Sequence, residues 1–440
     1  MDLTQKIISL CKRRGIVFPS SEIYEGFGGV YDFGPLGFEL KKNIKNVWLE
    51  AILNQENIFP LDSAILMNPL VWKASGHLSA GFSDTLVECK SCHKRFKGEE
   101  IKNNECPGCG GKITPPRKFN LMMKTFVGPV ESEATTTYLR GETCQGIYIN
   151  FLNILNSMRL KIPFGVVQIG KAFRNEINPK NFIFRTREFE QMELEWFCHP
   201  KEADRWFEYF KKQRLDWYFN LGIKKENLRI KEIPEGKMAH YAKRQTDIEY
   251  HFPFGWEEIE GIHHRGDWDL SNHSKHSGED LHYFDDETGE RYFPFIIETS
   301  VGVERALFVL LCESFEEIKG GRTKTTESKK EEEVLLKLPK ALAPIKVAVF
   351  PLVRNKPELV KKAKEVYQLL KPCFTCQYDE LGSIGRRYRR GDEIGIPYAL
   401  TIDFETLSKD DVTVRDRDTM SQERVKTNEI VKYLKNQLGS

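Results

Sequence analysis

No charge of one sign dominates this chain. Its 440 residues carry 66 Lys+Arg against 64 Asp+Glu, a formal net charge of +2. Any nucleic-acid contact must therefore come from local patches. Long apolar runs are also missing. The longest, near Ala306–Cys312 and Val347–Val353, are far too short to cross a bilayer, so no membrane partner is expected. Met1–Gly15 has neither a seven-residue apolar core nor a small-residue cleavage site, so no secretory leader is expected. There is no internal repeat, and the one biased tract is Lys324–Glu333. What is present, 40% apolar and 30% charged residues, fits a globular protein of two or three domains.

Ten cysteines in a long chain without an export signal read as reduced thiols in the cytoplasm. Four of them form two pairs, Cys89-x2-Cys92 and Cys106-x2-Cys109, with thirteen residues between. Each pair offers two thiolates from one tight turn, and together they complete a closed, structural S4 site for Zn2+. Gly108, Gly110 and Gly111 free the backbone of the second knuckle. A zinc-free loop with free thiols is the alternative. Cys373-x2-Cys376 has no second half and reads as ordinary thiols.

Two stretches carry candidate chemistry. Val166–Glu176 reads as a strand, 177–181 as a turn and Phe182–Phe197 as the return strand. Alternation puts Phe189, Gln191, Glu193 and Glu195 on one face, with Met192, Leu194 and Trp196 on the core face. Arg174, Arg185 and Arg187 could surround a polyphosphate. By charge pattern alone, a solvated hairpin with surface ion pairs explains the same residues. In Phe293–Leu311, a strand places Ile296, Glu298 and Ser300 on one face. Gly302 then leads into the helix 303–311, with Arg305 in its first turn.

The rest of the chain frames these stretches. Leu40, Ile44, Val47, Trp48 and Ala51 follow helical spacing. Residues 88–117 read as a small insert, 118–312 as a mixed or antiparallel sheet with helices, and 313–343 as a charged linker. Residues 344–440 read as a compact α/β domain, with Leu359, Ala363, Val366 and Leu370 on one helix face. That domain holds 18 Lys+Arg and 14 Asp+Glu, a net +4, against −2 for the remainder.

Phe173-Arg174-Asn175-Glu176, a loop and Phe184-Arg185-Thr186-Arg187-Glu188-Phe189 resemble motif 2 of the class II aminoacyl-tRNA synthetases. Glu298–Arg305 resembles motif 3, and the helix from Leu36 to about Ile52 resembles motif 1, usually part of a dimer interface. Asn68–His77, Gln168–Glu176, Arg187–Met192 and Gly385–Arg390 are similar to the homodimeric glycyl-tRNA synthetases over nearly the whole chain. Many motifs in order are more specific than any one.

The resemblance implies an α+β catalytic domain with an antiparallel sheet over residues 1–312, a zinc-knuckle insert at 88–117 and an anticodon-binding α/β domain at 344–440. It implies ligation of glycine to tRNA through a glycyl-adenylate, with ATP, Mg2+ and structural Zn2+, in a homodimer. Catalytic residues would be Arg174, Glu176 and Arg305. Arg174 would hold the α-phosphate, Phe189 and Arg305 would sandwich adenine, and Glu176 would accept from its amino group. Arg185 or Arg187 would reach the γ-phosphate, and Glu258 is a candidate Mg2+ ligand. Nucleotide contacts would extend over Asn175, Phe184, Thr186, Glu188, Ile259, Gly302, Val303 and Glu304. Glu142, Glu193 and Glu298 with Ser300 would take the glycine ammonium. Glu190, Gln191, Met192, Arg265, Thr299 and Val301 would complete the substrate contacts. Arg386, Arg387, Tyr388, Arg389 and Arg390 would meet the anticodon, although a solvated loop is their plain reading.

Departures from the family wording are Gly141, Cys144, Thr299 and Lys97. Gly141 should loosen the loop carrying Glu142. His263, His264, His273 and His276 are not read as a metal site. A non-catalytic paralogue should have lost Arg174, Glu176 or Arg305, and all three are present. An enzyme for another small amino acid should have lost an acidic pocket residue, and none is replaced.

Overall fold

The computed structural model describes residues 2–322 and 332–439. Along the chain come helices α1 (Leu3–Arg14) and α2 (Pro35–Leu53), then strands β1 (Ile58–Pro60), β2 (Ser83–Glu88), β3 (Arg95–Lys97) and β4 (Arg117–Asn120). Next are β5 (Phe164–Phe173), β6 (Glu188–Cys198), α3 (Ala203–Asn220), β7 (Leu228–Glu232), β8 (Arg244–Phe252), β9 (Gly255–Gly266) and β10 (Phe295–Gly302). After α4 (Val303–Ser314) follow β11 (Phe315–Lys319), β12 (Glu332–Leu336), β13 (Val347–Pro351), α5 (Pro357–Leu370), β14 (Cys376–Tyr378) and α6 (Ile384–Glu393). Strands β15 (Tyr398–Ile402), β16 (Asp411–Asp416) and β17 (Gln422–Lys426) come next, and a helix, Ile430–Leu438, closes the order.

Two compact units result, one of residues 19–31 and 48–306, the other of 2–18, 32–47, 307–322 and 332–439. In the first, a seven-stranded sheet runs β7-β8-β9-β10-β6-β5-β1. Its pairings are antiparallel except the edge pair β1/β5. Met192, Leu194 and Trp196 are buried on one face of β6. Trp196 meets Trp206 and Phe210 of α3 at 4.7 and 5.6 Å between ring centres. The opposite face is core at one end, where Phe164, Phe197 and Ile296 pack on Phe151. At its other end the same face carries Gln191, Glu193, Glu298 and Ser300. The insert is a separate three-stranded sheet, β3-β2-β4.

In the second unit the sheet order is β14-β13-β15-β16-β17. The four α5 residues expected on one face, Leu359, Ala363, Val366 and Leu370, are all buried there. The helix opens on Pro357, whose missing N–H has no intrahelical partner to lose.

Two expectations need correction. The return strand starts at Glu188, not Phe182, because Asn181 and Phe182 take φ of 60° and 58° and Phe182–Phe184 form a short 3-10 turn. The segment 313–343 is also more than a linker. α4 extends to Ser314, and β11 and β12 pair antiparallel with Leu335 and Leu336 buried. An apolar VLL run after the charges supplied a strand that the charge pattern hid. Most of the charged run, 324–331, lies outside the described residues.

Candidate active site

Strands β6 and β10 lie side by side, with Glu193 opposite Ser300 and Gln191 opposite Gly302. Their side chains open on a cavity of about 340 Å3. Among the buried carboxylates that line it, Glu142, Glu193 and Glu298 are the three read as ammonium acceptors. Burying like charges is costly unless each is paired and hydrogen-bonded, and each has its own set of partners.

Glu193 accepts from Ser300 Oγ at 2.7 Å, Gln191 Nε2 at 2.8 Å and the Thr143 N–H at 3.1 Å, and also from the Thr143 hydroxyl. Glu298 accepts from Arg265 Nη1 at 2.8 Å, and His263 Nδ1 lies 3.0 Å from the same oxygen. Glu142 accepts from Gln145 Nε2 at 2.9 Å and Cys144 Sγ at 3.0 Å, with His77 Nε2 3.3 Å away. Burial pushes all three carboxyls up. At Glu142 the His77 and Arg265 charges outweigh burial and hold the group well below the usual range. At Glu298, Arg265 and His263 also outweigh burial and lower the carboxyl. Among the described residues no cation pairs with Glu193. Burial, then the Glu298 and Glu142 charges, push it up to about 7. The set is two ionised carboxylates and a third that an arriving cation would ionise.

A cationic group shares the cavity: Arg174, Arg185, Lys237 and Arg305. Arg174 donates through Nε to Gly141 O at 3.0 Å, with its guanidinium 5.3 Å from the Phe82 ring centre and 5.4 Å from that of Phe189. Arg305 donates to Glu258 O at 3.0 Å and lies 4.6 Å over Phe184. Glu176 lines the cavity, and its Oε2 is buried without a hydrogen-bond partner. Acceptors for an amine thus stand in one cavity with donors for a polyanion.

In the insert, the four thiols of Cys89, Cys92, Cys106 and Cys109 gather with their sulfur atoms within 4.8 Å of one another, and all are free. Sγ separations are 3.6 Å for Cys89–Cys109 and 3.7 Å for Cys92–Cys106. The Cys92 and Ser91 N–H groups point at Cys89 Sγ, and chiefly the Cys92 N–H brings that thiol down to about 6. A Cβ on Gly111 would stand 2.5 Å from Ser91 Oγ and 3.0 Å from Cys89 Sγ, so only glycine lets the second knuckle close. This donor set suits a soft divalent metal.

A family model for the tRNA synthetase class II core domain (G, H, P, S and T) matches residues 129–314. A model for an anticodon binding domain matches residues 346–437. The chain is 49% identical to the glycine–tRNA ligase of Borreliella afzelii, over 99% of this chain and 97% of the relative. It is 48% identical to that of Thermobifida fusca (98% and 97%) and 47% to that of Streptomyces coelicolor (99% and 99%). The chain belongs to the glycine–tRNA ligase family.

Not every residue drawn from the family motifs reaches the cavity. Those lining it are Glu142, Arg174, Glu176, Phe184, Arg185, Thr186, Phe189, Gln191, Glu193, Glu258, Ile259, Glu298, Ser300, Gly302, Glu304 and Arg305. Met192, Thr299, Val301 and Val303 are buried but do not line it. Thr299 and Val301 point opposite to Glu298 and Ser300 by strand alternation. Glu188 pairs with Lys171 and Asn175 donates its N–H to Leu121 O, both away from the cavity. Glu190 donates its N–H to Glu304 Oε2 at 2.9 Å. Arg187 donates to the carbonyls of Glu176 and Gly28, so of the two arginines offered for the far phosphate only Arg185 faces the cavity. Arg265 sits behind it, held on both oxygens of Asp269 at 2.7 and 3.0 Å and stacked 3.6 Å from the Tyr241 ring centre.

Gly141 does not loosen its loop. A Cβ there would meet Phe82 at 3.0 Å and Met122 Sδ at 3.1 Å, so glycine allows close packing above Arg174. Sequence reasoning missed Lys237, Met238, Ala239, Tyr241 and Gln245, which line the cavity from the β7–β8 connection and the start of β8. His263 also lines it, whereas His264, His273 and His276 bond to Gly266 N, Gln145 and Asn272 O. Only the two-residue alternation from Gly261 to His263, on a strand next to Glu298, could have singled out His263.

On α6, Arg386 is exposed, and the other four residues are buried or half-buried. Arg387 is buried and donates to Pro351 O and to Leu352 O at 3.0 Å. Arg390 pairs with Asp379, and Arg389 lies 3.7 Å from Glu333. Tyr388 OH shares a hydrogen bond with Thr401 Oγ1 at 2.5 Å under Arg415. Helical spacing turns Arg387 toward β13, which the run of arginines in the sequence could not reveal.

Proposed function

We propose that this chain ligates glycine to its tRNA in two steps at the β6/β10 cavity. One observation carries the reading: three buried carboxylates and a hydroxyl converge within reach of an arginine cluster in a single cavity. Glycine offers no side chain, so the ammonium is the handle, and Glu142, Glu193, Glu298 and Ser300 match its three donors. The glycine carboxylate attacks the α-phosphorus of ATP, the bond to the β-phosphate oxygen breaks, and pyrophosphate leaves. Arg174, pinned by Gly141 O, stabilises the charge growing on the α-phosphate. Glu176 accepts from the adenine amino group, Phe189 and Arg305 hold the ring, and Arg185 meets the far phosphate. The terminal ribose hydroxyl of tRNA then attacks the glycyl carbonyl and releases AMP. No protein nucleophile is required.

Magnesium fits beside Glu258 and Glu304, whose carboxylates line the cavity, and when bound neutralises phosphate charge. Zinc fits the four thiols of the insert and ties its two turns together. Residues 344–440 bind the anticodon, and the enzyme works in the cytoplasm as a homodimer through the α2 region.

Amino-acid-dependent ATP–pyrophosphate exchange across all twenty amino acids tests the assignment. Exchange with glycine alone is expected, and folded protein that exchanges with none would overturn it. For the insert, metal analysis should find one zinc per chain, and Cys106→Ser should lose it and melt at lower temperature. Metal-free protein with unchanged melting would refute the structural zinc.

A further inference from the structure

The insert touches the cavity through residues that the ligation chemistry leaves unassigned. Lys97 ends β3 opposite Leu86 of β2 and is buried. Its Nζ stands 2.5 Å from Asp84 Oδ2 and 3.7 Å from Glu176 Oε2. Three residues on, Glu100 accepts from Lys180 Nζ at 2.7 Å and Asn178 Nδ2 at 3.3 Å. Asn178 and Lys180 lie in the connection from Glu176 to Phe184 and Arg185, both of which line the cavity. The insert therefore grips the two ends of one segment: the carboxylate at its start and the turn before its aromatic and cationic residues.

A buried carboxylate needs a counter-charge to stay ionised and aimed. Asp84 anchors the Lys97 ammonium at close range. Glu176 Oε2 stands at ion-pair distance without a hydrogen-bond partner, so the ammonium faces the carboxylate while that oxygen keeps its acceptor capacity for a substrate donor. Without the ammonium, nothing would hold the Glu176 carboxylate in its present direction, and a carboxylate that turns away is a weaker acceptor. We propose that Lys97 and Glu100 are positioning residues for recognition of the adenine amino group, which makes the insert a wall of the nucleotide site. The proposal rests on the reading of Glu176 as the acceptor for that group.

The test is glycine-dependent pyrophosphate exchange by the full chain, with ATP and with purine riboside triphosphate, which lacks the amino group. Lys97→Met is expected to lose about tenfold of the preference for ATP, with KM for glycine within about twofold of its starting value. Lys97→Arg should restore most of the preference, and Glu100→Gln should raise KM for ATP by a smaller factor. A merely structural role would move both nucleotides equally. Melting temperatures are read for every variant, and Lys97→Gln replaces the methionine variant if that does not fold. Glu176→Gln separates the two readings. If it keeps the full preference, Glu176 is not the acceptor. If it loses the preference while folded Lys97→Met and Lys97→Gln keep it, the positioning role of the insert is wrong.

Discussion

Two arginine-rich regions of this chain look alike in sequence and differ in use. Arg174 and Arg185 of the synthetase core face a cavity. Arg387, Arg389 and Arg390 on α6 meet the protein's own carbonyls and carboxylates. The difference lies in what surrounds each guanidinium. Around the cavity, the Gly141 carbonyl holds Arg174 at one edge, through Nε, and leaves its terminal nitrogens facing the open space. On α6, the carbonyls at the end of β13 use Arg387 as a brace. Arginine density marks where charge is, not where a ligand binds.

The sharpest test is Arg174→Ala. Adenylate formation should fall by about 10^3-fold or more in pre-steady-state assays, while tRNA binding by filter assay and the melting temperature stay nearly unchanged. Activity near the starting level would remove Arg174 from the chemistry. The matching change on α6, Arg387→Ala, should act on stability, at about 3 kcal/mol in denaturant unfolding, because it leaves buried carbonyls unpaired. The exposed neighbour Arg386→Ala should cost far less in unfolding than Arg387→Ala and lower the salt slope of tRNA binding by about 1. If the two α6 variants exchange phenotypes, the comparison fails.

A smaller effect concerns pH. Glu193 has its folded carboxyl raised to about 7. The folded protein therefore holds a proton there that the unfolded chain has released. That contribution to stability is full below the unfolded value and is lost as pH rises through about 7. Glycine binding moves the other way, because the ammonium needs the ionised form. KM for glycine should fall severalfold between about pH 6 and pH 8, and Glu193→Gln should raise KM and flatten the profile. A wild-type profile already flat over that range would contradict the poised carboxyl.

Local spacing made much of the molecule legible. The α5 face, the core side of β6 and the gathering of the four thiols all match their sequence patterns. Less legible were residues whose role depends on distant partners. Motif 2 named Arg185 and Arg187 alike, and only the turn at Asn181–Phe184 sends one into the cavity and the other to Gly28. Thr299 and Val301 came with the motif wording although strand alternation turns them away.

By itself the sequence determined which side chains share a face, the four-thiol set and the family, since these follow from short-range periodicity and spacing. The tertiary structure alone decided which charges meet. Arg265 reaches Glu298, His77 approaches Glu142, and Lys97 approaches Glu176, because sheet register and the insert bring together residues dozens of positions apart. Charge, burial and proton affinity are set by those neighbours, and the chain order does not contain them.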